Sequence, residues 1–142
     1  MTDYFYKNSQ ADEVIFIHKG SGTLQTGFGK IKFSYGDYLV VPRGTIYQIR
    51  FDDENNRLFI TESYSPIRFP KRYQNQFGQL MEHAPYCERD IRRPSDLETF
   101  DQEGDFKVLI KKQGLILSLI HISEPTRRTP ISYAVFCFNI KT

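Results

Sequence analysis

Apolar and polar residues alternate in short runs over the first sixty positions, and glycine, proline or acidic turns separate the runs. Val14–His18 (VIFIH) is β-branched and aromatic and stops at Gly20-Ser21-Gly22. Thr23–Thr26 follows, Gly27 and Gly29 punctuate, and Lys30–Phe33 (KIKF) alternates with a period of two, the mark of a half-buried strand. Tyr35-Gly36-Asp37 turns the chain into Tyr38–Val41, and Pro42-Arg43-Gly44 turns it again into Ile46–Phe51. There Ile46, Gln48 and Arg50 share one face, and Tyr47, Ile49 and Phe51 the other. The polar loop Asp52–Asn56 leads to Leu58–Glu62, and a short aromatic run, Asp3–Tyr6, precedes all of these. Strands this short, with turn signals about every eight to twelve residues, predict an all-β sandwich or barrel.

The pattern changes after Ser63. Pro66, Pro70, Pro85 and Pro94 interrupt the next stretch, in which Gln74–Met81 (QNQFGQLM) has room for a helical turn. Cys87–Arg93 (CERDIRR) is charged, and Phe106–Lys111 reads as one further strand. The expected organisation is a barrel portion over 1–65, an irregular proline-rich arm with one strand over 66–116, and a tail over 117–142 of different character. The arm is expected to be poorly anchored without the neighbouring domain it would bridge to.

Composition narrows the classes. Of 142 residues 39% are hydrophobic and 15% aromatic, which supplies enough apolar mass to exclude a disordered chain. The formal net charge of +2 comes with no basic stripe, so no nucleic-acid partner is expected. No apolar run reaches about 18 residues and the N-terminus lacks a signal-peptide pattern, so no membrane segment and a cytoplasmic location are expected. Two cysteines, Cys87 and Cys137, make neither a disulfide framework nor a zinc spacing.

Two spacings carry chemistry. Glu13 lies seven residues before Gly20, and Gly36 is followed by Pro42, Gly44 and Tyr47 at intervals of six, two and three. These resemble the two signature motifs of the cupin superfamily (RmlC-like jelly-roll barrels), in which glycine and proline turn the chain between barrel strands. The resemblance implies that a metal-bearing member would place two His near Tyr6–Ser9, a carboxylate at Glu13 and a His at Tyr47. Only Glu13 keeps its identity, and one carboxylate does not hold a transition metal. No catalytic, cofactor-binding or metal-binding residue is therefore expected: Glu13 and Tyr47 are vestigial positions, and Gly20, Gly36, Pro42 and Gly44 are turn residues. An inward-facing Glu13 needs a hydrogen-bond partner, and Tyr47 is the candidate. His18 has the wrong spacing to replace a ligand and reads as a surface or satisfied structural histidine.

A closer resemblance covers Thr2–Ile116. The strings DYFYKNSQADEVIFIHKGSGTL, GKIKFSYGDYLVVPRGTIYQIRF, NRLFITES and above all FGQLMEHAPYCERDIRRPSDLET are similar to bacterial homogentisate 1,2-dioxygenases. That resemblance implies a two-cupin, oligomeric enzyme that opens the ring of homogentisate with O2 at Fe(II) to give maleylacetoacetate, in tyrosine and phenylalanine catabolism. It places the iron ligands in a C-terminal cupin, the partner of this structural half, so that this piece alone is inactive and binds no cofactor. The alternative is a non-catalytic cupin that binds or senses a small molecule.

Some residues stay open. Arg89, Arg92 and Arg93 have the geometry for an anionic carboxylate of a neighbouring active site, but Glu88, Asp90 and Asp96 offer local ion pairs. His83 has the chemistry for an interface or substrate channel but suits a surface loop better, and Cys87, without a recognisable His partner, reads as a buried or half-buried thiol. Finally, Leu117–Arg127 (LSLIHISEPTR) looks like a translated transposon-type sequencing adapter, Arg128-Thr129-Pro130 has the length of a barcode, and Ile131–Cys137 (ISYAVFC) resembles a translated flow-cell primer. The natural chain is then expected to break off near Ile116. Without Arg127, Arg128, Lys141 and Glu124 the net charge falls from +2 to zero.

Overall fold

The computed structural model describes residues 4–94 and 105–119, and the backbone of 136–139. Its elements are almost all strands: β1 (Phe5–Asn8), β2 (Asp12–Lys19), β3 (Gly22–Thr26), β4 (Gly29–Phe33), β5 (Asp37–Val41), β6 (Ile46–Phe51), β7 (Arg57–Ser63), β8 (Ile91–Arg92), β9 (Val108–Lys112), β10 (Leu115–Leu119) and β11 (Phe136–Asn139). One sheet runs β10-β9-β1-β6-β3-β4 and the other β7-β2-β5-β11-β8. Neighbours pair antiparallel except β1 and β9, which are parallel. Parallel strands need a long crossover, and the whole of 9–107 supplies it.

The alternation read from the sequence sets the inner faces. In β4, Ile31 and Phe33 are buried and Lys30 and Lys32 exposed. In β2, Ile15 and Ile17 point into the core and His18 lies exposed at a register shift between Ile17 and Lys19. Tyr47 is buried in β6, with Ile49 and Phe51 packed beside it on the predicted inward face. Together with Leu24, Leu39 and Val41 these side chains form one core between the sheets. Gly36 and Gly44 have φ of +86° and +83°, the left-handed region that glycine reaches without steric cost. Gly44 N–H donates to the Asn8 carbonyl at 2.7 Å, and this ties the second turn to β1.

Three expectations are corrected. The first strand lies two residues later than Asp3–Tyr6, because β9, about a hundred residues away, sets its frame: Phe5 pairs with Val108 and Asn8 with Lys111. No helical turn forms over Gln74–Met81. Asn75 Oδ1 accepts the N–H groups of Phe77 and Gln79 at 2.9 and 3.0 Å, Gly78 takes φ +81°, and Gln74 bridges to Leu80. A side chain that captures backbone donors in this way competes with a helix, and the only helical turns described nearby are 3-10 turns at Lys71–Tyr73 and Glu88–Asp90. The arm is also anchored. Ile67 N–H donates to Asp12 at 3.0 Å, and Arg92 reaches back to Asp37 at 2.6 Å. Between these points Tyr86 stacks on Phe69 at 5.6 Å and meets Tyr73 edge to face at 5.9 Å. Asp96 and residues 120–135 and 140–142 of the tail lie outside the described residues.

Candidate functional site

β1, β2, β6 and β7 bring four polar side chains to one end of the sandwich. Glu13 is 3% exposed, and a carboxylate withdrawn from water must find replacement donors. Asn8 Nδ2 donates to Glu13 Oε1 at 3.0 Å, and Tyr47 Oη donates to Glu13 Oε2 at 2.8 Å. The second Asn8 amide hydrogen reaches Glu62 Oε1, also at 3.0 Å, while Asn8 Oδ1 accepts the N–H groups of Gln10 and Ala11. Lys111 Nζ closes the chain on both oxygens of Glu62, at 2.6 and 2.7 Å. One amide, one phenol and one ammonium therefore serve two carboxylates.

The electrostatics follow from this geometry. Burial, then the charges of Glu13 and Glu62, push the Tyr6 phenol up to about 12. Burial and the Glu13 carboxylate push Tyr47 further in the same direction, so its proton is firmly held for donation. The hydrogen bonds to Glu62 hold Lys111 above the usual lysine value. The two tyrosine rings meet edge to face at 5.5 Å. Beside them opens a cavity of about 300 Å³ lined by Tyr6, Glu13, Tyr47, Phe51, Leu58 and Ile60 among others.

The Tyr47–Glu13 bond is the pairing expected from the two motifs. Gly20, at φ +104°, Gly36, Pro42 and Gly44 shape the surrounding turns. His18 is exposed, and so is His83, whose ring meets Tyr73 at 6.5 Å. Cys87 is exposed rather than buried, because it sits at the start of a 3-10 turn where its N–H donates to Asp90 at 3.0 Å. Arg89 makes the local pair with Asp90, at 3.7 Å, and Arg93 is exposed. Arg92 departs from the local scheme and pairs with fully buried Asp37 across 55 residues. Asp37, Asp12, Glu62 and Lys111 escaped the sequence reading. Asp12 carried one usable signal, its place next to Glu13 at the start of an apolar strand. Burial raises the Asp12 carboxyl, but the backbone N–H groups of Arg43 and Ile67 and the Arg43 guanidinium outweigh burial and hold it below its ordinary value.

This donor set does not suit a transition metal. Both Glu13 oxygens are engaged by neutral donors, and no group of three His, Cys, Asp or Glu side chains converges among the described residues. Two facing sheets with a carboxylate and a phenol at the mouth define a cupin-like β-sandwich. A family model for the N-terminal part of homogentisate 1,2-dioxygenase matches residues 1–118, and a Saccharolobus solfataricus protein named "Putative dioxygenase SSO1533" is 43% identical over 110 residues. The chain belongs to the homogentisate 1,2-dioxygenase N-terminal family. The aligned stretch is 78% of this chain and only 28% of the Saccharolobus protein.

Proposed function

We propose that this chain is the structural, iron-free first half of a homogentisate 1,2-dioxygenase. The longer enzyme cleaves the ring of homogentisate with O2 at Fe(II) to give maleylacetoacetate, and its iron ligands belong to a second cupin. The observation that carries this reading is the Asn8–Glu13–Tyr47 cluster, in which an amide and a phenol supply the two bonds that a metal would otherwise make to the carboxylate. The family match and the dioxygenase name of the relative support the parent class. The family match ends at residue 118, within two residues of Leu117, where the translated-adapter reading begins.

The cavity favours a second reading, a barrel that binds a small molecule without chemistry. Its electrostatics disfavour homogentisate itself. Among the described residues, Glu13 and Glu62 line the mouth and Lys111 is bonded to Glu62, so an anionic ligand meets net repulsion. The deciding experiment reads the source DNA across codon 116. The account expects an open frame continuing into a second barrel with a His, Glu and His ligand set, whose product consumes O2 with homogentisate when loaded with Fe(II). A genomic locus that encodes LSLIHISEPTR in place contradicts it.

A further inference from the structure

The cavity at the mouth of the sandwich has a chemistry that a purely structural role leaves unused. A space of about 300 Å³ opens between β1 and β6 of one sheet and β2 and β7 of the other. Every residue that lines it falls between Tyr4 and Glu62, so β10 and β11 contribute no wall. Four aromatic side chains, Tyr4, Tyr6, Tyr47 and Phe51, line it together with the carboxylates of Glu13 and Glu62.

Charge decides first what such a space takes. Glu13 is buried, and both its oxygens are held by neutral donors, Asn8 and Tyr47. Lys111 directs its hydrogen bonds to Glu62 instead. The two carboxylates therefore exceed their ammonium by one negative charge, set against aromatic walls that screen it poorly. The rings add to the same preference. An aromatic face is negative and attracts a cation within about 6 Å of its centroid. Tyr6 and Tyr47 meet edge to face at 5.5 Å, and the hydrogen that Tyr47 donates to Glu13 polarises its ring towards greater negative charge. The carboxylate oxygens then limit the kind of cation, because each already accepts a hydrogen bond. A primary ammonium brings three N–H donors that need acceptors once they leave water. An alkylated ammonium needs none, and its methyl groups pack on aromatic surface. An apolar cavity of about 150 Å³ holds benzene, so this one suits a ligand of roughly ten non-hydrogen atoms.

We infer that the mouth cavity binds a small quaternary ammonium ligand, held among Tyr4, Tyr6, Tyr47 and Phe51 against the charge of Glu13. This goes beyond the structural role and rests on the second reading above, a barrel that takes a small molecule without chemistry. Proton NMR titration of the 142-residue chain with choline chloride tests it. The comparison ligands are the neutral alcohol in which carbon replaces the choline nitrogen, and n-butylammonium, a primary cation. Choline is expected to bind at least ~10-fold more tightly than either, with its N-methyl resonance shifted upfield by the surrounding rings. Glu13→Gln and Tyr4→Leu each weaken choline at least ~5-fold. Lys111→Met removes the opposing charge and tightens choline ~3-fold or more, a gain that loss of structure does not produce. Tyr4→Leu and Lys111→Met keep the test decisive if Glu13→Gln fails to fold. Weaker choline binding by Lys111→Met, or equal binding of choline and its neutral isostere, overturns the cation assignment and leaves the small-molecule reading standing. Tighter binding of n-butylammonium than of choline overturns the quaternary class. Binding of none of the three overturns the site and the small-molecule reading together.

Discussion

Glu13 shows how a side chain is kept buried without a counter-ion in contact. Its oxygens accept one amide and one phenol hydrogen, both at normal hydrogen-bond lengths. Tyr47→Phe removes one donor and keeps the ring, so it weakens the pairing of a buried carboxylate at a cost of about 1–3 kcal/mol. Urea unfolding at pH 7 checks this. The expected result is a lower midpoint with an unchanged slope, and a midpoint within error of the parent contradicts it. Tyr6 gives a second reading of the same cluster. Its folded value near 12 lies above the ordinary value of 10.0, so the unfolded chain loses this proton first. The contribution is complete below pH 10 and is lost as the pH rises through about 12. Thermal midpoints measured between pH 9 and 12 are expected to fall in that window, and Tyr6→Phe flattens the fall. The motif spacing made the Tyr47–Glu13 pair legible in the sequence. The Asn8–Glu62–Lys111 relay was not, because its members come together only when β1, β7 and β9 have been folded side by side.

Among the elements, the strands between β2 and β7 were legible because each carries its own alternation and its own turn. β1 was misplaced by two residues and β8 was missed, and both depend on partners remote in sequence. The arm shows why local pattern failed there. Its charges suggested neighbouring pairs, whereas Arg92 crosses to Asp37, whose Oδ2 also accepts Ser34 N–H at 2.8 Å. Asp37 is fully buried, and its Oδ1 has no partner among the described residues. Removal of the arginine leaves that charge poorly compensated, and because Arg92 itself is partly solvated the loss falls below that of a fully buried pair. Arg92→Ala is expected to destabilise the fold by about 2–3 kcal/mol by denaturant unfolding and to raise protease susceptibility between Pro66 and Pro94. Loss of stability without arm release contradicts the anchoring role.

The described residues form a sandwich of two facing sheets, whose all-β character was visible in the sequence and whose open mouth was not. Hydrophobic periodicity states which face of a strand is buried, but not whether a partner sheet extends far enough to cover it. Leu58 and Ile60 sit on the correct face of β7 and still stand at an open mouth. The chain belongs to the homogentisate 1,2-dioxygenase N-terminal family and aligns with 28% of a longer relative, and the function proposed above assigns the iron chemistry to a part of the enzyme other than this sandwich. That division of labour is the central claim, and anaerobic titration of this chain with Fe(II), followed by metal analysis after desalting, tests it most directly. The account predicts no stoichiometric iron and an unchanged unfolding midpoint, whereas one tightly held Fe(II) per chain contradicts it.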